Sequence, residues 1–187
     1  MIIGCYGELG TGKTLSAVLE AYRAYLRGQT VYSNIWLNFP HKKIETVLEL
    51  FDVENGFLLL DEIWHLADSR RSMSLLNDAV SLLLLRSRKR DFDVIYTQQH
   101  YLQVDRRIRY VTDIWIKPEM IGDILKQTII SADGRILSVR LIKASDYYDL
   151  YDTKADPYTV IKLTQNKKLL EKLKELRDSF KSGMGHE

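Results

Sequence analysis

The run GELGTGKT at residues 7 to 14 constrains this chain more than any other feature. It follows a short apolar stretch, MIIGCY, and precedes a helical pattern, LSAVLEAYRAYLRG, that Gly28 closes. Strand, glycine-rich turn and helix in that order are the context that gives the pattern G-x-x-x-x-G-K-[ST] its meaning. Gly7, Gly10 and Gly12 let backbone amides turn inward on phosphate oxygens, and the helix N-terminus adds the positive end of its dipole. The expected phosphate contacts are therefore Gly7, Glu8, Leu9, Gly10, Thr11, Gly12, Lys13, Thr14 and Leu15. Lys13 would reach the β and γ phosphates of ATP, and the Thr14 hydroxyl would meet magnesium.

The chain has 187 residues, room for one well-buried α/β domain. That domain is expected over 1–162, with a charged helix and tail over 163–187. A second strand, TVYSNI at 30–35, follows the first helix, and Pro40 marks a loop. Residues 42–52 read as a short amphipathic helix. After the turn signal Glu54, Asn55, Gly56 comes FLLLDE, a continuous apolar strand ending in two acids, the pattern of a strand buried on both faces. A helix over 74–90 and a strand DVIYTQQ at 93–99 follow, then a basic segment VDRRIRYV and a strand DIWIK. Asp133 and Gly134 sit between two β-rich runs and predict a hairpin over about 124–142. The expected fold class is α/β: a P-loop NTPase with a mostly parallel, doubly wound sheet, an antiparallel hairpin at one edge and a C-terminal helix.

Asp61 and Glu62 stand where a parallel strand delivers side chains to the crevice beyond its carboxyl edge. Asp61 reads as the magnesium carboxylate, directly or through water, and Glu62 as the base that polarises the attacking water. A helix cap for Asp61 and an ordinary strand end for Glu62 are the alternatives. Arg86, Arg88, Lys89 and Arg90 form a basic cluster, either a solvated helix end or the source of an arginine finger reaching a neighbouring subunit. Arg106, Arg107 and Arg109, with Arg70 and Arg71, could line a surface for a phosphate backbone. Tyr147, Tyr148, Tyr151 and Tyr158 read as packing residues.

A formal net charge of +2 argues against wholesale coating of a polyanion and leaves room for a local basic patch. The single cysteine, Cys5, reads as a small buried hydrophobe in a reducing compartment. The four histidines have no metal-ligand spacing, so no zinc is expected. No apolar run approaches the roughly 20 residues that span a bilayer, and the expected location is the cytoplasm.

An acid placed directly after the second-motif aspartate resembles the branch of P-loop ATPases in which an extra strand separates the two motif strands. The resemblance implies that DVIYTQQ lies between them, so that Thr97 and Gln98, and less directly Gln99, face the γ-phosphate. The early phosphate loop, YSNI, LLLDE and RKRDFDVIYTQQ together resemble the ATPase domain of the zonula occludens toxin-like family, in the FtsK and HerA branch of DNA-pumping ATPases. Arg88, Asp93, Thr97 and Gln98 match its arginine, aspartate, Thr and Gln, which makes Arg88 the implied finger. Lys89 stands where the family commonly has His. YDLYDTK resembles the family's closing Tyr and Thr segment, so the likeness covers roughly residues 1–160.

The family implies a hexameric ring around double-stranded DNA, ATP and Mg2+ as cofactors, and a capsid or portal-like viral partner. The lack of a membrane segment favours genome packaging over phage assembly or extrusion. A nucleotide-dependent switch and a nucleoside kinase are the readings from other classes.

Overall fold

The computed structural model describes residues 1–46, 48–62, 83, 91–103, 106–152, 171, 174 and 175. Its strands are β1 (Ile2–Tyr6), β2 (Thr30–Ser33), β3 (Lys42–Lys43), β4 (Gly56–Leu60), β5 (Phe92–Gln98), β6 (Ile114–Ile121), β7 (Ile124–Ser131) and β8 (Ile136–Lys143). The helices are α1 (Lys13–Leu26) and the short α2 (Arg106–Val111). All eight strands form one sheet in the order β3-β2-β4-β5-β1-β6-β7-β8. Pairing is parallel from β3 through β6 and antiparallel for β6–β7 and β7–β8. Strand β5 therefore lies between β1 and β4, where the acid pair and its family resemblance put it.

Every residue of β4 is buried, because both faces of the sheet carry a layer. On one face Ala17, Val18, Ala21 and Ala24 of α1 pack on Ile3, Cys5, Val31, Phe57, Leu59 and Ile95. The alanines let the helix axis come close to the strands. On the other face Ile2, Leu58, Leu60, Val94, Tyr96 and Trp115 cluster with Leu83 and with Ile108 of α2. Gly4 marks a close approach within this layer, since a Cβ there would sit 2.3 Å from the Trp115 ring. Helix α1 ends as the sequence predicts: Gly28 takes a φ of 81°, and the Gln29 amide returns to the carbonyl of Ala24 at 3.1 Å.

Two expectations change. Residues 42–52 are not one helix. Lys42 and Lys43 instead pair with Tyr32 and Ser33 as an edge strand, and only Glu49–Asp52 makes a 3-10 turn. The lysines keep that edge from recruiting another strand, a role no helical periodicity reveals. The outer hairpin is also part of a longer meander: β6 runs past DIWIK to Ile121 and pairs with β7 along its whole length. The expected hairpin over 124–142 is present as β7 and β8. The helix over 74–90 and the charged helix and tail from 163 fall, apart from Leu83, Glu171, Lys174 and Glu175, outside the described residues.

Candidate active site

The loop between β1 and α1 is held open by its own backbone. Gly10 and Gly12 have φ of 78° and 89°, conformations that side chains resist, and Gly12 caps α1 without offering any side chain to the helix amides. Those amides stay turned toward the loop. A Cβ on Gly12 would also stand 2.7 Å from the Leu125 Cδ1, because the β6–β7 meander leans on this turn. Lys13 is buried, and its Nζ donates to the Glu8 carbonyl at 2.9 Å. The Thr11 hydroxyl donates to the same carbonyl at 2.8 Å. Gly7 is tied to the end of β5 through the carbonyls of Gln98 and Gln99. Glu8, Leu9 and Gly10 are exposed at the rim. Leu15 turns its side chain into a small core with Leu19, Leu125 and Ala144, so only its backbone remains for a phosphate.

Asp61 comes to this loop from the end of β4. Thr14 Oγ1 lies 3.1 Å from both of its carboxylate oxygens, and Thr97 Oγ1 donates to Oδ1 at 2.7 Å. Asn34, just past β2, holds the backbone of Asp61: its Nδ2 donates to the Asp61 carbonyl at 2.9 Å, and its Oδ1 accepts the Asp61 amide at 2.8 Å. Burial pushes the Asp61 carboxyl up to about 6, and the neighbouring Glu62 charge adds to the rise. Hydrogen bonds from Thr97 and Thr14 and the Lys13 charge act in the opposite direction. Glu62 follows in a left-handed conformation, φ 50°, with its amide on Thr97 Oγ1 at 2.8 Å. For a residue with a long side chain this backbone is strained, and such strain gathers at functional sites.

Thr97 and Gln98 do not act as a pair. Alternation along β5 puts Thr97 with Cys5 on the α1 face and Gln98 with Tyr6 and Tyr96 on the other. The Thr97 hydroxyl donates to the Asp61 carboxylate and accepts the Glu62 amide, on the same side as Thr14. Gln98 is fully buried, yet neither its amide nitrogen nor its oxygen has a partner. Gln99 is half-buried at the strand's exit.

Cys5 is the inert thiol expected of it. It is fully buried under the loop, and burial, reinforced by the Asp61 charge, pushes its ionisation far above the usual range. Arg106 and Arg107 are exposed on α2, and the Arg109 guanidinium lies 5.3 Å from the centre of the Tyr101 ring. Asp93 meets the Met1 ammonium at the opposite end of β5 from Gln98. Tyr147 and Tyr151 pack near Leu15 and Leu19, as expected of packing residues, whereas Tyr148 is exposed. Burial, then the Asp61 charge, pushes the Tyr151 hydroxyl up to about 12. Arg70, Arg71, Arg86, Arg88, Lys89, Arg90 and Tyr158 lie outside the described residues. Among the described residues no group of three or more His, Cys, Asp or Glu could hold a metal, and no helix is long and apolar enough to cross a membrane.

No protein-family model matches the chain, and no curated protein sequence does. Solved structures do match. The N-terminal domain of zonular occludens toxin from Neisseria meningitidis aligns with a TM-score of 0.53 at 18% identity, over 81% of this chain and 98% of that one. The ATPase domain of G40P aligns with a TM-score of 0.51 at 12% identity, over 76% and 80%. The flagellar accessory protein FlaH from Methanocaldococcus jannaschii gives 0.50 at 13%, over 76% and 84%. The fold is that of a P-loop ATPase domain.

The donor set suits the magnesium ion that accompanies a nucleotide in such a domain. A hard divalent cation takes oxygen ligands, keeps several waters and needs only one or two protein groups beside the phosphates. Thr14 and Asp61 supply a hydroxyl and a carboxylate side by side, and the buried carboxylate, raised by lack of solvent, is a group whose charge a cation would compensate. Sequence reading missed Asn34 as a site residue. The available signal was its place, one residue past β2, as Asp61 is one residue past β4.

Proposed function

We propose that this P-loop ATPase domain hydrolyses ATP with magnesium and uses the energy to move double-stranded DNA, in the manner of a viral genome-packaging motor. The observation that carries the hydrolytic reading is the convergence of Thr14, Asp61 and Glu62 beyond the strand ends, next to a loop whose amides and Lys13 are turned inward. The likeness to an ATPase domain supports it.

Magnesium bound between Thr14, Asp61 and the phosphates would neutralise charge on the transferred phosphoryl group. The chain's own residues do the rest. Loop amides and the Lys13 ammonium bind the β and γ phosphates and orient the triphosphate. Glu62 accepts the proton of the attacking water at its carboxylate, and the Thr97 hydroxyl holds the Glu62 backbone beside Asp61. Arg88 from a neighbouring copy in a hexameric ring completes the charge balance.

Movement of DNA rests on the resemblance of the sequence motifs to the zonula occludens toxin-like family and on the exposed arginines of α2, Arg106 and Arg107. The capsid or portal-like partner, and a location in the host cytoplasm, follow from the same resemblance.

Turnover measured with and without duplex DNA tests the reading. Hydrolysis stimulated by DNA and lowered by about a hundredfold or more in Glu62→Gln is expected, the range that loss of a general base produces. Slow turnover indifferent to DNA would leave a nucleotide-dependent switch in its place. ATP-dependent release of phage particles without uptake of DNA would make the chain an assembly ATPase.

A further inference from the structure

We propose that Asn34 is a positioning residue for the metal-binding carboxylate, acting as a one-residue extension of the sheet that fixes the backbone of Asp61. The inference rests on the hydrolytic reading above and adds a residue to it.

The pairing of β2 with β4 runs out at this level. Ser33 is the last residue of β2 and stands opposite Leu59, and the Asn34 amide makes a final long bond of 3.4 Å to the Leu59 carbonyl. Leu60 ends β4 and turns its backbone to β5, Asp61 follows it, buried to 5% exposure, and the chain then swings away at Glu62 with φ 50°. The Asp61 N–H and C=O have lost their strand partner at the point where water cannot replace it. Such groups are expensive to leave unpaired.

The side-chain amide of Asn34, itself 2% exposed, takes both. It donates to the Asp61 carbonyl at 2.9 Å and accepts from the Asp61 amide at 2.8 Å, as a facing peptide would. An amide N–H can only donate and a carbonyl only accept, so these partners also fix which way the Asn34 amide points. An ionised Asp, which has no donor, could make only the bond from the Asp61 amide. Thr97 holds the carboxylate from the β5 side at 2.7 Å, so Asp61 is gripped at its backbone from one neighbouring strand and at its side chain from the other. A carboxylate fixed in this way meets a cation without first giving up rotational freedom, the usual contribution of groups behind a metal ligand.

The test follows Mn2+ by its electron paramagnetic resonance signal as it binds with ADP to the full chain, beside ADP affinity in EDTA. In Asn34→Ala the Mn2+ dissociation constant should rise about tenfold or more, while metal-free ADP affinity stays within about twofold. Asn34→Asp, which keeps the acceptor and loses the donor, should also bind Mn2+ more weakly and serves if the alanine variant does not fold. Leu50→Ala, a cavity variant in the core on the face away from α1, controls for general loss of stability. Mn2+ affinity unchanged in both Asn34 variants, or weakened equally in Leu50→Ala, overturns the assignment. A wild-type chain that binds Mn-ADP without ever hydrolysing ATP sinks the hydrolytic reading and leaves the role of Asn34 intact.

Discussion

The hydroxyl of Thr14 lies 3.1 Å from both carboxylate oxygens of Asp61, a residue 47 positions further along the chain. Two elements that share no local sequence, the first turn of α1 and the end of β4, thus place a hydroxyl and a carboxylate where one divalent cation could take both. Thr14→Val keeps the shape of the side chain and removes the oxygen. Magnesium-dependent nucleotide binding should weaken by about tenfold to a hundredfold, with metal-free affinity little changed, as titration calorimetry with and without EDTA would read. Equal losses in both conditions would place the role of Thr14 in packing.

The Asp61 carboxyl gives the ligand-free chain a particular pH dependence. Its native value, about 6, is above the ordinary 3.8, so between these values the folded chain holds a proton that the unfolded chain has released. Stability from this group therefore falls as pH rises from about 4 to about 6 and is level above that. Asp61→Asn should flatten this segment of the curve of thermal midpoint against pH. Metal binding needs the anion, so Mg-ATP should bind more tightly as pH rises toward about 6, releasing protons below it. Calorimetry in buffers of different ionisation heat measures that release; its absence in the wild type would mean that Asp61 is not the metal's carboxylate.

Lys13 is 5% exposed and bonds to the Glu8 carbonyl of its own loop. A phosphate would replace a neutral acceptor with a charged one, and charge-assisted bonds contribute about 1.5–3 kcal/mol. Lys13→Ala should then weaken ATP binding by about tenfold to a hundredfold, the equivalent of that range. Lys13→Arg should rescue little, because a wide planar guanidinium does not fit where a compact ammonium is enclosed.

Gly4 offers a test of the fold apart from the site. A methyl there would stand 2.3 Å from the Trp115 ring, across the parallel pairing of β1 and β6. Gly4→Ala should destabilise the chain by about 1–3 kcal/mol through overpacking. Combined with Trp115→Leu it should lose less than the sum of the two single changes, which urea unfolding can measure.

Much of this architecture is legible along the chain because its causes are local. Helix α1 is announced by its periodicity and by Gly28, the loop by its glycines, and β4 by an unbroken apolar run. Pairing across the sheet is not local, and that is where reading fails. Lys42 and Lys43 carry no strand signal of their own and become β3 only because Tyr32 and Ser33 present a free edge. The bond from Thr97 to Asp61 joins residues 36 apart, one on β5 and one just past the end of β4. The bonding of Asn34 is not local either, since its partner lies 27 residues away.

Gln98 is a polar exception among the residues buried in the sheet. It is fully buried, and both polar atoms of its amide lack a partner, so the ligand-free fold carries an uncompensated desolvation penalty of about 1–3 kcal/mol. Leu has a similar volume and would carry no such penalty. Gln98→Leu should therefore raise the thermal midpoint, with nucleotide affinity and turnover nearly unchanged, as thermal melts beside an ATPase assay would read. A less stable variant would show that the amide has hydrogen-bond partners that outweigh its desolvation.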